Sequence, residues 1–244
     1  MDAIIVSLPR EHNSVGACPA TTSDILMPMN ENAMNATWRR DARAAMREAT
    51  LREAERRFKT RQPLFNYRWE HVKAVVSLAK RLADLTGADA EVVEAAAWLH
   101  DVRKDARERH PEEGASFARE FLAETDFPPE KIEQVAHVIA EHMGLWLTEP
   151  LTMLESQVLW DADKLAKIGL TAAFHWFGLE FAGHKSKTTE AFIHDGRRIE
   201  WQAKTVASMH TVPARRAAEK RLASYQRLWD ELESELAGDD LLSS

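Results

Sequence analysis

Apolar residues in this 244-residue chain recur at three- and four-residue intervals in segment after segment, and nowhere in strict alternation. Residues 69–85 put His71, Val75, Leu78, Ala79 and Leu82 on one stripe, and Gly87 ends it. From Asp89 a second helix carries Val93, Ala96, Ala97, His100 and Lys104 on one face, with Asp101 roughly 100° further round. Pro111 sits at an N-terminal position of the next helix. Pro128 and Pro129 open another, which closes near Gly144. Thr152 and Glu155 have capping-box spacing ahead of residues 153–169. Beyond Pro213 a long stripe repeats through Ala218, Leu222, Tyr225, Trp229, Leu232 and Leu236. An Ala-, Arg- and Glu-rich segment over 36–58 stops near Pro63. With no internal repeat and short connections, the economical fold is all-α, a compact bundle of mostly antiparallel helices.

Composition narrows the function classes. Apolar residues make up 45%, enough to fill a core, and the net charge of -7 gives no global attraction to DNA, RNA or anionic lipid. The single cysteine, Cys18, forms no internal disulfide and excludes a cysteine cluster as a metal ligand set. The first residues lack the basic and long apolar regions of a signal peptide. The most apolar later stretch, 169–183, is interrupted by His175 and Glu180 and is too short to span a bilayer. A cytoplasmic protein without membrane attachment is expected. Residues 1–35 carry scattered Pro, Gly, Ser, Thr and Asn with no helical stripe, and read as a disordered tail.

His100-Asp101 ends the apolar run AAAWLHD, and His71, His110, His142 and Asp163 recur around it. A lone histidine on an apolar face is ordinarily a core residue bonded to a backbone carbonyl. Several imidazoles and carboxylates buried together are different. Each costs a few kcal/mol unless compensated, and one divalent cation compensates them all. Such donors suit Mn, Fe, Co, Ni, Mg or Zn. His137 lies roughly 140° around the helix from His142, so only one of the two faces a shared site. Periodicity does not decide between Asp161 and Asp163, since each belongs to an apolar stripe. Asp105, Glu70 and Glu141 are candidate acceptors behind the imidazoles. The pair His194-Asp195, followed by Gly196, reads as a turn and a decoy. Lys185, Lys187, Arg197 and Arg198 near it, Arg103, Arg107 and Arg109 near Asp101, and Lys164 and Lys167 beside Asp163 are candidate rim residues beside their ordinary role as solvated charges.

In this order the residues resemble the HD-domain metal-dependent phosphohydrolases. Their pattern H…HD…(H…H)…D is met by His71, His100-Asp101, His110, His142 and Asp163, with matching words WLHDVRKD, HPEEGA, IAEHMG and LWDADKLAKIG. The resemblance implies an HD core over residues 64–172, flanked by helical extensions over 36–63 and 173–244. It implies one or two divalent ions, with His71, His100, Asp101 and Asp163 as the first set. His110 and His142 stand where two-metal members, such as YqeK-type diadenosine tetraphosphate hydrolases, hold a second ion. The family words favour Asp163 as ligand, with Asp161 behind it or capping a helix. Asp101 and Lys104, the latter giving an HDxxK form, are the expected catalytic residues. The implied chemistry is hydrolysis of a small phosphorylated metabolite, a nucleotide above all, by a metal-activated water. Cyclic-dinucleotide cleavage is disfavoured because no GYP word follows His142, and guanosine tetraphosphate hydrolysis because Arg103-Lys104 replaces acidic residues. Two alternatives stand beside it: a di-iron oxygenase of the same fold and a non-catalytic nucleotide-binding module. The terminal helices suit either covering the core or a homodimer.

Overall fold

A computed structural model describes residues 37–183, 187–198 and 200–242. The expected tail at 1–35, and Lys185, lie outside them. Among the described residues the architecture is helical throughout, with no strand. The α-helices are α1 (Thr37–Phe58), α2 (Tyr67–Thr86), α3 (Ala90–Leu99), α4 (His110–Ala123), α5 (Ile132–Ala140), α6 (Leu154–Leu165), α7 (Leu170–Ala182), α8 (Thr189–Gly196), α9 (Glu200–Ala207) and α10 (Val212–Ala237). None of the described helices is long and apolar enough to cross a membrane.

The middle of the fold is α3, which packs on α1, α2, α5 and α6. Its sequence explains that position. Val92, Val93, Ala95, Ala96, Ala97 and Leu99 are all buried, and the small alanines let neighbouring helices approach on every side. Asp89 caps it by accepting from the N–H groups of Glu91 and Val92. Gly87 ends α2 in the left-handed region (φ 77°), which a side chain would disfavour, and its N–H donates to the Ala83 carbonyl. Along α1, Trp38, Ala42, Met46 and Ala49 form one buried stripe that joins the main core. The free N–H groups of Thr37 and Trp38 donate to the two oxygens of Asp126, each at 2.7 Å, fixing the start of α1 to the turn that follows α4. The C-terminal helices build a second, aromatic core. Ala173, Ile193, Tyr225 and Trp229 are its buried members, with Trp176, Phe177 and Phe192 packed against them.

Several local expectations need correction. The capping box before α6 does not form: Met153 is the cap residue, and Glu155 instead accepts from the Asp89 N–H at the start of α3, 3.0 Å away. A tertiary partner outcompetes the local one. Gly144 is not the residue that ends α5, which stops at Ala140, although it does take a positive φ of 93° in the loop beyond. His194-Asp195 lies in the last turn of α8 rather than in a loop turn, because Thr188 caps that helix through the Ala191 N–H.

Candidate metal centre

Beyond Leu99 the chain tightens. The Val102 N–H donates to Leu99 O and the Lys104 N–H to Asp101 O, three residues back instead of four. A short 3-10 helix follows over Lys104–Arg109. Residues three apart eclipse one another in such a segment. Lys104 therefore stands over Asp101, with its Nζ 3.0 Å from Asp101 Oδ1, and not on a helix stripe with His100 as the periodicity suggested.

The six residues of the sequence pattern converge. His71 and His100 are completely buried, and Asp101, His110, His142 and Asp163 nearly so. Around Asp101 Oδ2 stand His100 Nε2 at 3.5 Å and His71 Nε2 at 3.9 Å. Around Asp101 Oδ1 stand His110 Nε2 at 3.6 Å and His142 Nε2 at 3.7 Å. Asp163 Oδ1 is 3.0 Å from His71 Nε2. Two donor groups, His71-His100-Asp101 and Asp101-His110-His142, thus share one carboxylate.

Each element delivers its residue for a local reason. His71 lies on the buried stripe of α2. His110 begins α4, where Pro111 fixes the entry into the helix. Gly114, one turn on, brings α4 against the carbonyl of His100: a Cβ there would meet that oxygen at 3.4 Å and Ile139 Cγ2 at 3.2 Å. His142 follows the end of α5, and Asp163 lies on α6, which is buried on all sides. His137 points away, half-exposed and paired with Glu141 at 3.2 Å. Asp161 serves another purpose. Its carboxylate accepts from the N–H groups of His210 and Thr211 and from the Thr211 hydroxyl, anchoring the start of α10.

The acceptors behind three of the four imidazoles are backbone carbonyls, in place of the expected carboxylates. His100 Nδ1 faces Ala97 O at 2.9 Å, His110 Nδ1 faces Arg107 O at 2.5 Å, and His142 Nδ1 faces Ile139 O at 2.6 Å. A carbonyl only accepts, so each Nδ1 carries the proton and each Nε2 presents a lone pair inward. The Nε2 atoms of His110 and His142 lie 3.1 Å apart, an arrangement that lone pairs resist unless a cation lies near. His100 Nε2 and His71 Nδ1 are buried without a hydrogen bond, while His71 Nε2 and Asp101 Oδ1 meet the charged groups of Asp163 and Lys104, each at 3.0 Å. Glu70, Asp105 and Glu141 bond elsewhere, to Lys73, Arg56 and Arg103, and His137.

Electrostatics hold the donors ready. Burial, assisted by Lys167, pushes His71 down to about 4; burial, partly offset by Asp101, pushes His100 to about 3; burial and then Lys104 push His110 to about 4. All three are neutral at pH 7. Burial opposes ionisation of Asp101, but Arg68 leads a set of neighbours that holds its carboxyl well below the usual range. Asp163 is held low against burial by Lys164 and Lys167. Neutral imidazoles and ionised carboxylates are the protonation states a divalent cation requires. The donor set and its orphaned atoms fit such an ion.

Sequence reasoning missed Arg68 and left Lys164 and Lys167 open. Arg68 bridges Asp101 and Glu53 of α1. Its spacing of three from His71 puts it on the same face of α2, a signal available in the sequence. Lys164 contacts Asp163 and donates to His142 O at 2.9 Å, and Lys167 reaches Asp163 Oδ1 at 2.6 Å. Burial pushes Lys164 down to about 8. Of the rim arginines, Arg103 and Arg109 engage Glu113, and Arg107 is an exposed residue at positive φ.

The HD domain family model matches residues 68–168. YpgQ of Bacillus subtilis strain 168, an uncharacterised protein, is 26% identical over 183 residues, covering 72% of this chain and 87% of YpgQ. The crystal structure of YpgQ in complex with ADP superposes with a TM-score of 0.53 at 23% identity, covering 70% of this chain and 90% of that one. A predicted HD superfamily hydrolase from an uncultured Thermotogales bacterium gives a TM-score of 0.57 at 21% identity, covering 86% and 99%. Residues 68–168 are thus similar to the HD domain family, and the solved structures share the helical fold.

Proposed function

We propose that this protein is a metal-dependent phosphohydrolase acting on a small phosphorylated metabolite, a nucleotide above all. In this reading His71, His100, Asp101, His110, His142 and Asp163 hold one or two divalent ions, and Asp101 and Lys104 are the catalytic residues. The observation that carries it is Asp101, an ionised, buried carboxylate shared by two groups of inward-facing imidazoles, with Lys104 directly above it. A divalent ion there supplies a coordinated water of lowered pKa and neutralises charge on phosphoryl oxygens.

The chain's own residues do the rest. Lys104 Nζ lies 2.8 Å from His110 Nε2 and 3.0 Å from Asp101 Oδ1, and it is a third exposed. It can exchange the imidazole contact for a substrate oxygen while its charge stays at the centre. Arg68 holds Asp101 from the opposite side, and Glu53 fixes the guanidinium in place. Lys164 and Lys167 hold Asp163. So much positive charge around two carboxylates favours a substrate bearing several negative oxygens over a neutral one. The ADP complex of YpgQ supports a nucleotide in particular.

The test is a phosphate-release screen over nucleotides and sugar phosphates with Mn, Mg, Co or Ni supplied. Turnover of at least one nucleotide that disappears in His100→Ala is expected. No release with any ion would refute the reading, as would full activity in His100→Ala.

A further inference from the structure

We infer that the cavity between the HD core and the C-terminal helices is a base-binding subsite that selects adenine, its occupant's phosphates running toward Asp101. This deepens the phosphohydrolase reading and rests on it for the fate of the phosphates alone. The cavity holds about 660 Å³ and lies against the metal centre. Two of its lining residues touch that centre directly. Tyr67 stacks on His71, with ring centroids 5.9 Å apart and planes at 9°, and Lys167 is bonded to Asp163. A ligand filling the cavity therefore ends one side chain away from the candidate metal ligands.

The opposite walls come from the C-terminal helices: Trp176 of α7, Trp201 of α9 and Tyr225 of α10. Trp176 is already stacked on Phe177 and Tyr225 is buried, so Trp201 is the ring left to a flat base, whose stacking contributes about 1–3 kcal/mol. Specificity enters through Gln202. Its side chain lines the cavity beside Tyr225 and is 2% exposed, and its Oε1 has no hydrogen-bond partner. A buried acceptor left unpaired is costly, and an N–H donor from a ligand removes that cost. With the Gln202 amide N–H bonded to Tyr225, Oε1 is left to accept from the N6 amino group of adenine, whereas guanine presents only acceptors, O6 and N7, at the same edge. His175 Nδ1, also lining the cavity, is a second buried polar atom without a partner.

Charge sets the orientation. On the C-terminal side Asp195 and Glu200 line the cavity together with Lys187 and Arg198, Lys187 lying 2.8 Å from Asp195, so that wall carries no net charge. On the HD side stands Lys167. Phosphates gain most on the side of Lys167 and the centre behind it, leaving the hydroxyls of a ribose to the mixed-charge rim.

Nucleosides test the subsite apart from catalysis, since they carry no phosphate. Adenosine and purine riboside, which lacks the 6-amino group, are titrated into the full chain in chelator and followed by tryptophan fluorescence. Adenosine is expected to bind about tenfold more tightly, the gap is expected to vanish in Gln202→Leu, and both are expected to weaken about tenfold in Trp201→Ala. Equal affinity of the wild-type protein for the two nucleosides, or a gap that survives in Gln202→Leu, overturns the inference. Phosphate release from nucleotides is measured on the same preparation. Release without base discrimination defeats the subsite and leaves the phosphohydrolase reading intact; discrimination without release defeats that reading and leaves the subsite.

Discussion

The chain contains two His-Asp pairs, and their surroundings have little in common. His100-Asp101 has side chains 0% and 1% exposed, while His194-Asp195 has side chains 78% and 37% exposed. The first follows Ala95–Leu99, a run buried on nearly all sides, so the pair is carried into the interior. Ahead of the second only Ile193 is buried, and the helix leaves His194 facing outward. An ionised carboxylate in the interior needs cations around it, and Asp101 has Arg68 and Lys104. Asp195 needs only Lys187 and bulk solvent. The dipeptide is thus not the functional signal; the apolar run that buries it is.

The contrast yields graded predictions. The largest concerns the pairs themselves: Asp101→Asn should lower phosphate release by about 1000-fold or more, whereas His194→Ala should leave it within about twofold, as assayed under identical ion conditions. Equal losses would break the comparison. Lys104→Ala should lower kcat by about 10- to 100-fold while the metal content of the purified protein stays unchanged, because Lys104 lies over the centre without supplying a lone pair to a cation. A parallel loss of metal would make Lys104 structural. Asp161→Ala should cost about 2–4 kcal/mol of stability in denaturant unfolding, since it strands the N–H groups of His210 and Thr211. Its folded fraction should still bind metal. A smaller effect comes from pH. In chelator, His71, His100 and His110 titrate near 3 to 4 in the folded chain but near 6.5 when unfolded. The unfolded state then binds more protons between those values, so stability should fall as pH drops from about 6.5 toward 4. A melting temperature flat across that window would show that these imidazoles are not buried together.

Much of this was legible in the sequence, for reasons that differ by position. The helices around the site follow from apolar spacing, because α2 and α10 each bury one stripe and expose the rest. The choice between Asp161 and Asp163 was not available from spacing, since α6 is buried on every side and a periodic pattern has no contrast there. The capping box failed because Glu155 found a backbone donor 66 residues away, a contact no local rule contains. Lys104 reached Asp101 by a different path than periodicity implied, through the tightening of the chain after Leu99. Spacing left Lys164 and Lys167 open between the rim of the site and the solvated surface. Their place beside Asp163 depends on which helices close over α6, and that is a property of the assembled bundle.

Everything turns on Asp101 being shared by two sets of inward-facing lone pairs. Calorimetric titration of chelated, re-purified protein with Mn²⁺ measures this directly. The account predicts one or two sites in the wild-type chain and none in Asp101→Ala, with folding verified by circular dichroism. Unchanged Mn²⁺ binding by folded Asp101→Ala would contradict it.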